Sequence, residues 1–483
     1  SSTKTYPLYT PKPLWAEQDP EDWWKATVET VADVIEKSGI NASEIKGIGI
    51  SGQMHGSVFL DENNNVVRPA ILWCDQRTQK ECDWITETVG KDKIIEFTCN
   101  PVLTGFTAGK VVWLRNNELD NYKKVKKVLL PKDYIRFKLT GEFASEVSDA
   151  SGTSFFNVPK RNWAWEILDA IDIPRDWMPK CYESPEVSGK VHQSAALATG
   201  LAEGTPVVGG GGDNAAGAVG NGVVESGIIF STIGTSGVVF AFSDEPVYDP
   251  DLRVHTFCHA VPGKWHQMGV MLSAGGSLRW YRDTFADTEM AMAKVFGKDP
   301  YEIICDEAAM VPAGSEGLIF LPYLTGERTP HADPHAKGVF FGISLRHDKA
   351  HFARAVLEGV AYGIRDSFDI LAGMNIPIKQ VRAGGGGARS ELWRQINADV
   401  SGHDHSTINV DEGPGLGAAL LAGVGTGVYK DVHDACSSVV KVTSTTKTNK
   451  DTKAVYDKYY NIYRTLYHSL KDSFSNVSNI VSE

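Results

Sequence analysis

The segment that decides the fold is GTPVVGGGGDNAAG, residues 204–217. A β-branched run ends in four glycines, and Asp213 and Asn214 follow at the start of a small, apolar stretch. Four glycines in a row lose much backbone entropy on ordering, so a chain keeps them where a ligand or another backbone approaches closely. The pattern predicts a carboxylate at the end of a strand, where ligands bind in α/β sheets. The alternative is a tight strand-to-helix turn with Asp213 as the helix N-cap.

Two further motifs resemble parts of a phosphate or nucleotide site. Residues 379–383 predict a strand that ends in four glycines, 384–387, ahead of a helix. Residues 231–237, STIGTSG, predict a hairpin whose tip offers N–H and hydroxyl donors to phosphate oxygens. Taken alone, the hairpin is better explained as an ordinary turn. The two glycine-rich junctions and this turn together favour a nucleotide site.

Met54 and His55 lie in SGQMHG, residues 51–56, after a predicted strand. A His beside a Met usually indicates packing. Here the pair lies between two glycines at a strand end, which favours a ligand pocket. Strands and helices alternate up to about residue 221, which predicts the α/β class, and a new unit begins after that point.

The C-terminal region is predicted to contain a linker and a helix. Residues 440–451 are rich in Thr and Lys, which predicts a loop or linker. Residues 451–474 predict a long helix that packs back onto the rest of the chain through an apolar stripe. The stripe consists of Val455, Tyr459, Ile462, Leu466 and Leu470.

Length and composition limit the class of protein. A chain of 483 residues predicts two or three domains. The net charge of −12, without long runs of Lys or Arg, argues against nucleic acid and against an anionic membrane surface. The sequence has no apolar run of membrane-spanning length. Its seven scattered cysteines without a Cys-x-x-Cys motif predict a reduced, cytoplasmic protein without a zinc site.

Three common nucleotide-binding patterns do not fit. No Gly-Lys pair is followed by Ser or Thr, and no His-Arg-Asp loop is present, which argues against P-loop proteins and protein kinases. Gly210, Gly212 and Ala215 match the dinucleotide fingerprint, but no acidic residue ends a strand about 20 residues later. The remaining layout suits ATP-dependent phosphorylation of a small hydroxyl compound, with a carboxylate as base.

Residues 105–117, GFTAGKVVWLRNN, and 338–358, GVFFGISLRHDKAHFARAVLE, resemble the two signatures of the FGGY carbohydrate kinases, and the likeness extends over nearly the whole chain. The resemblance implies the two-domain actin/Hsp70/sugar-kinase ATPase fold, which is ribonuclease H-like, with a cleft between the domains. It implies an N-terminal sugar-binding domain over residues 1–222 and a C-terminal nucleotide-binding domain over 223–430. Residues 431–483 are then a linker and a helix that packs back.

The resemblance also assigns site residues. It implies that Asp213 is the general base and an indirect Mg²⁺ ligand through water, and that Met54, His55 and Asn214 bind the sugar. The residues implied for the nucleotide are Gly234, Thr235, Ser236, Trp280, Gly386, Gly387, Ala388 and Ser390.

The activity implied is ATP- and Mg²⁺-dependent phosphorylation of D-xylulose to D-xylulose 5-phosphate. Residues 320–331, FLPYLTGERTPH, support this substrate, and the Met-His pair disfavours glycerol, because glycerol kinases carry an Arg-Glu pair there. Gluconate or ribulose kinases of the same family, and a non-catalytic sugar- or nucleotide-binding protein of the same fold, are the alternatives. A homodimer is the family-like arrangement.

One family motif is missing. The family begins with a strand and an Asp-x-Gly-Thr-Ser turn, a first phosphate loop whose Asp helps to hold Mg²⁺. This sequence starts at Ser1 without a Met and contains no such turn. Since the other motifs are intact, we expect the sequence to be incomplete at its N-terminus.

Overall fold

The computed structural model describes residues 1–410 and 413–482. Within these residues the largest sheet has seven strands and belongs to the second half of the chain. In spatial order the strands are His255–Cys258, Trp265–Met271, Gly237–Ser243, Ile228–Ile233, Gln380–Gly384, His405–Ile408 and Val442–Thr446. The pairings of Gln380–Gly384 with both of its neighbours are parallel and the other pairings are antiparallel. The parallel centre places the carboxyl ends of three strands at one edge of the sheet.

The last strand corrects one prediction. Residues 440–451 were predicted as a loop or linker, but Val442–Thr446 pairs antiparallel with His405–Ile408. Its Thr and Ser side chains suit an edge strand, since they hydrogen-bond to hydroxyls on the neighbouring strand. The Thr445 and Ser406 hydroxyls lie 3.1 Å apart. The hairpin predicted at residues 231–237 is confirmed, with Ile233 opposite Gly237 across the turn.

Helices cover the sheet, and the largest hydrophobic cluster lies between them and the strands. The helices of the second half are Gly275–Phe285, Asp287–Phe296, Pro300–Ala309, Lys349–Gly373, Glu391–Ser401, Gly413–Gly425, Val432–Val439 and Lys450–Ser482. Strands Ile319–Leu321 and Val339–Phe341 form a separate pair, and short 3₁₀ turns lie at Ser315–Gly317 and Gly386–Arg389.

The long C-terminal helix is confirmed, and its predicted apolar stripe is confirmed in part. Leu466 is buried, and Tyr459 and Leu470 pack against the core, whereas Ile462 is exposed. The helix also buries Tyr456, Tyr460 and Tyr463. These tyrosines bury their rings and still find polar partners. For example, the Tyr456 hydroxyl donates to Glu358 Oε1 at 2.9 Å.

The first half consists of helices around short strand pairs. Its helices are Pro20–Ser38, Gln79–Val89, Lys91–Thr98, Thr107–Asn117, Leu119–Tyr122, Pro131–Thr140, Val147–Ala150, Trp165–Ala170, Gln193–Thr199 and Asp213–Gly220. Its strand pairs are Glu17–Gln18 with Ala70–Ile71, Val58–Leu60 with Lys127–Leu129, Ala144–Glu146 with Lys180–Tyr182, Phe156–Asn157 with Asn162–Trp163, and Val187–Lys190 with Pro206–Val208. The remaining 3₁₀ turns are Ala42–Glu44, Ser151–Thr153 and Arg175–Trp177.

One further strand pair positions the site. Ser51–Gly52 runs parallel to Gly211–Gly212. Both strands therefore end at the same edge, so the segment with Met54 and His55 leaves the sheet beside the segment with Asp213.

The two halves meet through small residues. A Cβ atom on Gly220 would lie 1.8 Å from the carbonyl oxygen of Gly413, and one on Gly417 would lie 1.8 Å from that of Ala216. Helices Asp213–Gly220 and Gly413–Gly425 therefore touch backbone to backbone, which holds Asp213 against the second half of the chain. None of the helices in the described residues combines the length and apolar character needed to cross a membrane.

Candidate active site

The glycine loop before Asp213 is packed too closely for side chains. Gly210 has a φ of +70°, and a Cβ atom there would lie 1.9 Å from the Ile50 carbonyl oxygen. A Cβ atom on Gly212 would lie 2.9 Å from Met54 Cγ. The N–H of Gly212 donates to Ser148 Oγ at 3.1 Å. The glycines thus place Asp213 directly beside the Met54 segment.

Asp213 is the first residue of helix Asp213–Gly220, and the N-cap is Gly212. The alternative in which Asp213 caps this helix is therefore wrong. Asp213 Oδ1 accepts hydrogen bonds from the backbone N–H of Asn214 at 2.8 Å and from Asn214 Nδ2 at 3.0 Å. Burial raises the pKa of the Asp213 carboxyl above its ordinary value, which brings it closer to that of an effective proton acceptor.

A cavity of about 470 Å³ opens in front of Asp213 and Asn214. Its other walls come from the second half of the chain, including the second glycine junction. Among the residues predicted for the nucleotide, Gly386 and Ala388 line this cavity. The carboxylate that follows the first glycine loop and the second glycine junction therefore line one space.

The other residues predicted for the nucleotide, and also Met54 and His55, are not among those that line this cavity. Gly387 packs against Ile233, where a Cβ atom would lie 2.6 Å from Ile233 Cβ. Ser390 is the N-cap of Glu391–Ser401, with its Oγ accepting from the N–H of Trp393 at 3.2 Å. Trp280 stacks on Phe320 and Phe340, with ring centroids 6.0 and 6.4 Å away. The Gly234 carbonyl accepts from Gly275 N at 2.8 Å.

The tip of the hairpin carries hydroxyl groups that are free to donate hydrogen bonds to a ligand. The carbonyl oxygen of Thr235 accepts from the N–H groups of Ala274 and Gly276, each at 3.0 Å, so the tip is tied to the start of the next helix. The side chains of Thr235 and Ser236 are exposed. Neither hydroxyl has a hydrogen-bond partner within residues 1–410 and 413–482. Such a tip suits phosphate oxygens.

His55 is held in one tautomer. Its Nδ1 donates to the Gly152 carbonyl at 2.7 Å, and its ring stacks on Phe106 with centroids 4.4 Å apart. Burial lowers the pKa of His55 to about 3, so the imidazole is neutral at physiological pH. Since Nδ1 carries the proton, Nε2 is a hydrogen-bond acceptor. Met54 is buried beside it and lies close to both Gly152 and Gly212.

Lys110 supports the His55 segment from behind. This fully buried lysine donates from Nζ to the carbonyl oxygens of His55 and Gly105, each at 2.7 Å. The Thr107 hydroxyl also donates to the His55 carbonyl, at 3.1 Å. Burial lowers the pKa of Lys110 to about 7. The sequence analysis did not single out Lys110, although a lysine inside the apolar run GKVVWL signals a buried cation.

A cluster of buried charges lies behind the Asp213 loop and was also missed. Lys132 Nζ lies 2.7 Å from Asp133, 3.5 Å from Glu146 and 3.4 Å from Asp149. Burial raises the pKa of Asp149, and the charge of Asp213 raises it further. The polar residues at 145–149 predict only a loop, because nothing local reveals that Lys132 pairs with them.

Comparison with known proteins identifies the family. The model of the FGGY family of carbohydrate kinases, N-terminal domain, matches residues 1–220, and that of the C-terminal domain matches residues 229–426. This chain belongs to the FGGY family of carbohydrate kinases. The sequence resemblance to this family is thereby confirmed, and so is the two-domain actin-like fold.

Individual relatives cover most of the chain. A xylulose kinase of Escherichia coli (strain K12) is 44% identical over 89% of this chain and 86% of its own. A gluconokinase of Bacillus subtilis (strain 168) is 33% identical over 98% of this chain and 92% of its own. The ligand-bound xylulose kinase from Lactobacillus acidophilus matches with a TM-score of 0.91 at 27% identity, covering 98% of this chain and 94% of its own. The FGGY chain described here is thus an enzyme, a sugar kinase.

The residues fit what FGGY kinases require. FGGY kinases use ATP, typically with Mg²⁺. The cavity beside Asp213 has a glycine wall at Gly386, where a Cβ atom would meet nothing within 4 Å. Within the described residues no group of three or more His, Cys, Asp or Glu side chains could hold a metal ion. The Asp213 carboxylate on the cavity suits a Mg²⁺ ion that keeps several waters and binds substrate phosphates, as is usual for this ion.

Proposed function

We propose that this FGGY kinase transfers the γ-phosphoryl group of ATP to the C5 hydroxyl of D-xylulose, with Asp213 as the general base. The observation that carries the proposal is that Asp213 and the second glycine junction line the same cavity. A base and a nucleotide loop on one cavity allow an acceptor hydroxyl to meet the phosphoryl group in line.

The chemistry follows from this arrangement. Asp213 Oδ2, which has no hydrogen bond to the described chain, accepts the proton of the C5 hydroxyl. The sugar oxygen forms a bond to the γ-phosphorus while the bond between that phosphorus and the β–γ bridging oxygen breaks, and ADP leaves. Donors of Thr235 and Ser236 stabilise the phosphoryl oxygens. Mg²⁺, when bound, neutralises phosphate charge, and Asp213 contacts it through water.

The sugar is held by groups with fixed hydrogen-bond roles. His55 Nε2 accepts a hydrogen bond from one sugar hydroxyl, and the Asn214 side chain orients the sugar beside Asp213. A site built to hydrogen-bond hydroxyls rejects analogues that lack them, because its buried polar groups are then left unpaired. The E. coli xylulose kinase supports D-xylulose as the substrate. The B. subtilis gluconokinase makes gluconate the second candidate.

We also propose the division of labour between the two halves. Residues 1–222 supply the sugar side, residues 223–430 supply the nucleotide side, and residues 431–483 complete the second half. The family matches, 1–220 and 229–426, support the first two boundaries. The strand Val442–Thr446 and the C-terminal helix support the third assignment, because both pack on the second half.

The test is ADP release from Mg-ATP by the full-length protein, with D-xylulose, D-ribulose, L-ribulose, gluconate and glycerol as acceptors. We expect the highest kcat/KM with D-xylulose. A preference for gluconate would contradict the substrate and leave the mechanism intact. Sugar binding without ADP formation from any acceptor would favour a non-catalytic binding protein.

A further inference from the structure

The segment GERTPH, residues 326–331, has no role in the proposed mechanism, although the fold holds it in a defined position. Thr329 anchors it to the strand Trp265–Met271, with its N–H donating to the Val270 carbonyl at 3.0 Å. The Thr329 hydroxyl accepts from Val270 N at 3.0 Å and donates to the Arg253 carbonyl at 2.8 Å. Arg328 is therefore fixed beside Trp265–Met271, the strand in which Met268 lies opposite His255.

This position brings Arg328 near the proposed sugar residues, because Val270 packs in one hydrophobic cluster with Met54 and Phe106. His255 and His55 lie on either side of Phe106, with ring centroids 5.7 and 4.4 Å from it. Arg328 is close enough for its charge to lower the pKa of both histidines, although burial is the main cause. The second half of the chain thus contributes a cation beside the proposed sugar ligand His55.

The guanidinium of Arg328 lacks a protein partner. It makes no hydrogen bond or ion pair with residues 1–410 or 413–482. Burial lowers the pKa of Arg328, a sign that its charge is poorly solvated. Other buried arginines hold carboxylates. For example, Arg77 lies 2.6 Å from Asp75, and Arg354 lies 2.7 Å from Glu358.

The neighbouring Glu327 makes no ion pair with the Arg328 guanidinium within the described residues, and its charged form offsets only part of the effect of burial on the pKa of Arg328. Its Oε1 accepts from the N–H groups of Leu272 and Arg328 at 2.9 and 2.8 Å. Burial raises the pKa of Glu327 to about 8, so this carboxyl is mostly protonated at pH 7. A poorly solvated cation without an ion-pair or hydrogen-bond partner favours a ligand that brings oxygen acceptors.

We propose that Arg328 binds the end of the sugar remote from the transferred phosphoryl group, donating to the two adjacent oxygens at C1 and C2. A planar guanidinium fits two neighbouring acceptors, which an α-hydroxyketone or a carboxylate at that end supplies. Arg328 therefore sets the substrate class as 2-ketoses and aldonates, and disfavours the corresponding polyols. This assignment rests on the proposed function, because Asp213 orients the other end of the sugar.

The experiment compares wild type, Arg328→Met and Arg328→Lys with D-xylulose, gluconate and xylitol, which has no carbonyl group. Arg328→Met should lower kcat/KM for D-xylulose and gluconate about 10- to 100-fold, mainly through KM, and change that for xylitol little. Arg328→Lys should lie between, because lysine keeps the charge and loses the planar pair of donors. Arg346→Met is the matched control, since Arg346 forms an exposed ion pair with Glu316.

Equal losses for D-xylulose and xylitol in Arg328→Met would overturn the assignment, and so would unchanged values for all three compounds. If Arg328→Met does not fold, the test is the ratio of kcat/KM for D-xylulose to kcat/KM for xylitol in Arg328→Lys. A ratio equal to that of wild type would overturn the proposal. Calorimetric measurement of D-xylulose binding separates the proposed function from the assignment of Arg328. If the wild type phosphorylates no sugar but Arg328→Met still weakens binding, the proposed function fails and the assignment of Arg328 stands.

Discussion

The buried lysine behind the sugar loop permits a quantitative prediction. Lys110 makes two hydrogen bonds to backbone carbonyls, and the described residues offer it no carboxylate within ion-pair distance. Its pKa is lowered from 10.5 to about 7. Between these two values the unfolded chain holds a proton that the folded chain has released, so the contribution of Lys110 to stability rises with pH.

In Lys110→Met this contribution is absent. From pH 7 to pH 9 the free energy of unfolding of wild type should therefore rise by about 2 kcal/mol relative to Lys110→Met. The variant should also raise KM for the sugar about tenfold, because the His55 carbonyl loses its strongest donor, while KM for ATP stays unchanged.

Urea unfolding at pH 7, 8 and 9 measures the first effect, and steady-state kinetics measures the second. Lys80→Met serves as the control, since Lys80 is exposed on the helix Gln79–Val89. It should follow wild type at every pH. The reasoning is refuted if wild type and Lys110→Met keep a constant difference in unfolding free energy from pH 7 to pH 9.

Three further outcomes follow from the site. His55→Phe keeps a ring on Phe106 but loses the Nε2 acceptor, so KM for the sugar should rise about tenfold in steady-state assays; an unchanged KM would count against His55 as a ligand. Because burial lowers the pKa of His55 to about 3, its imidazole should stay neutral from pH 8 to pH 5 in an NMR titration; a midpoint near the usual value of about 6.5 would contradict the burial argument. Gly387→Val places carbon 2.6 Å from Ile233 Cβ and should raise KM for ATP about tenfold through displacement of the loop. Gly373→Ala, with nothing within 4 Å of its Cβ, is the control, and equal ATP kinetics in both variants would refute the role of the loop.

Much of this site could be predicted because its residues belong to short, local sequence patterns. At Gly210 a Cβ atom would lie 1.9 Å from the backbone of Ile50, so only glycine is tolerated there. Such close approach of two backbones is therefore visible in the sequence as glycine. The same holds at the second glycine junction. The positions of Asp213 and His55 at strand ends follow from the order of predicted elements along the chain.

Contacts between distant segments were not visible in the same way. Lys110 and Arg328 act on the His55 segment from elsewhere in the chain, and neither has a local pattern that reveals its partner. The stripe of the C-terminal helix was predicted correctly at Leu466 and wrongly at Ile462, because isoleucine was weighted as a core residue. Tyr456 and Tyr460 instead occupy the core, since buried acceptors, Glu358 and Asp366, satisfy their hydroxyls.

The most direct test of the central claim is the turnover of Asp213→Asn with D-xylulose and Mg-ATP. Asparagine keeps the size of the side chain and cannot accept the proton. The account predicts a kcat lower by about 10²- to 10⁴-fold, with KM for D-xylulose changed only a few-fold. A kcat close to that of wild type would contradict Asp213 as the general base.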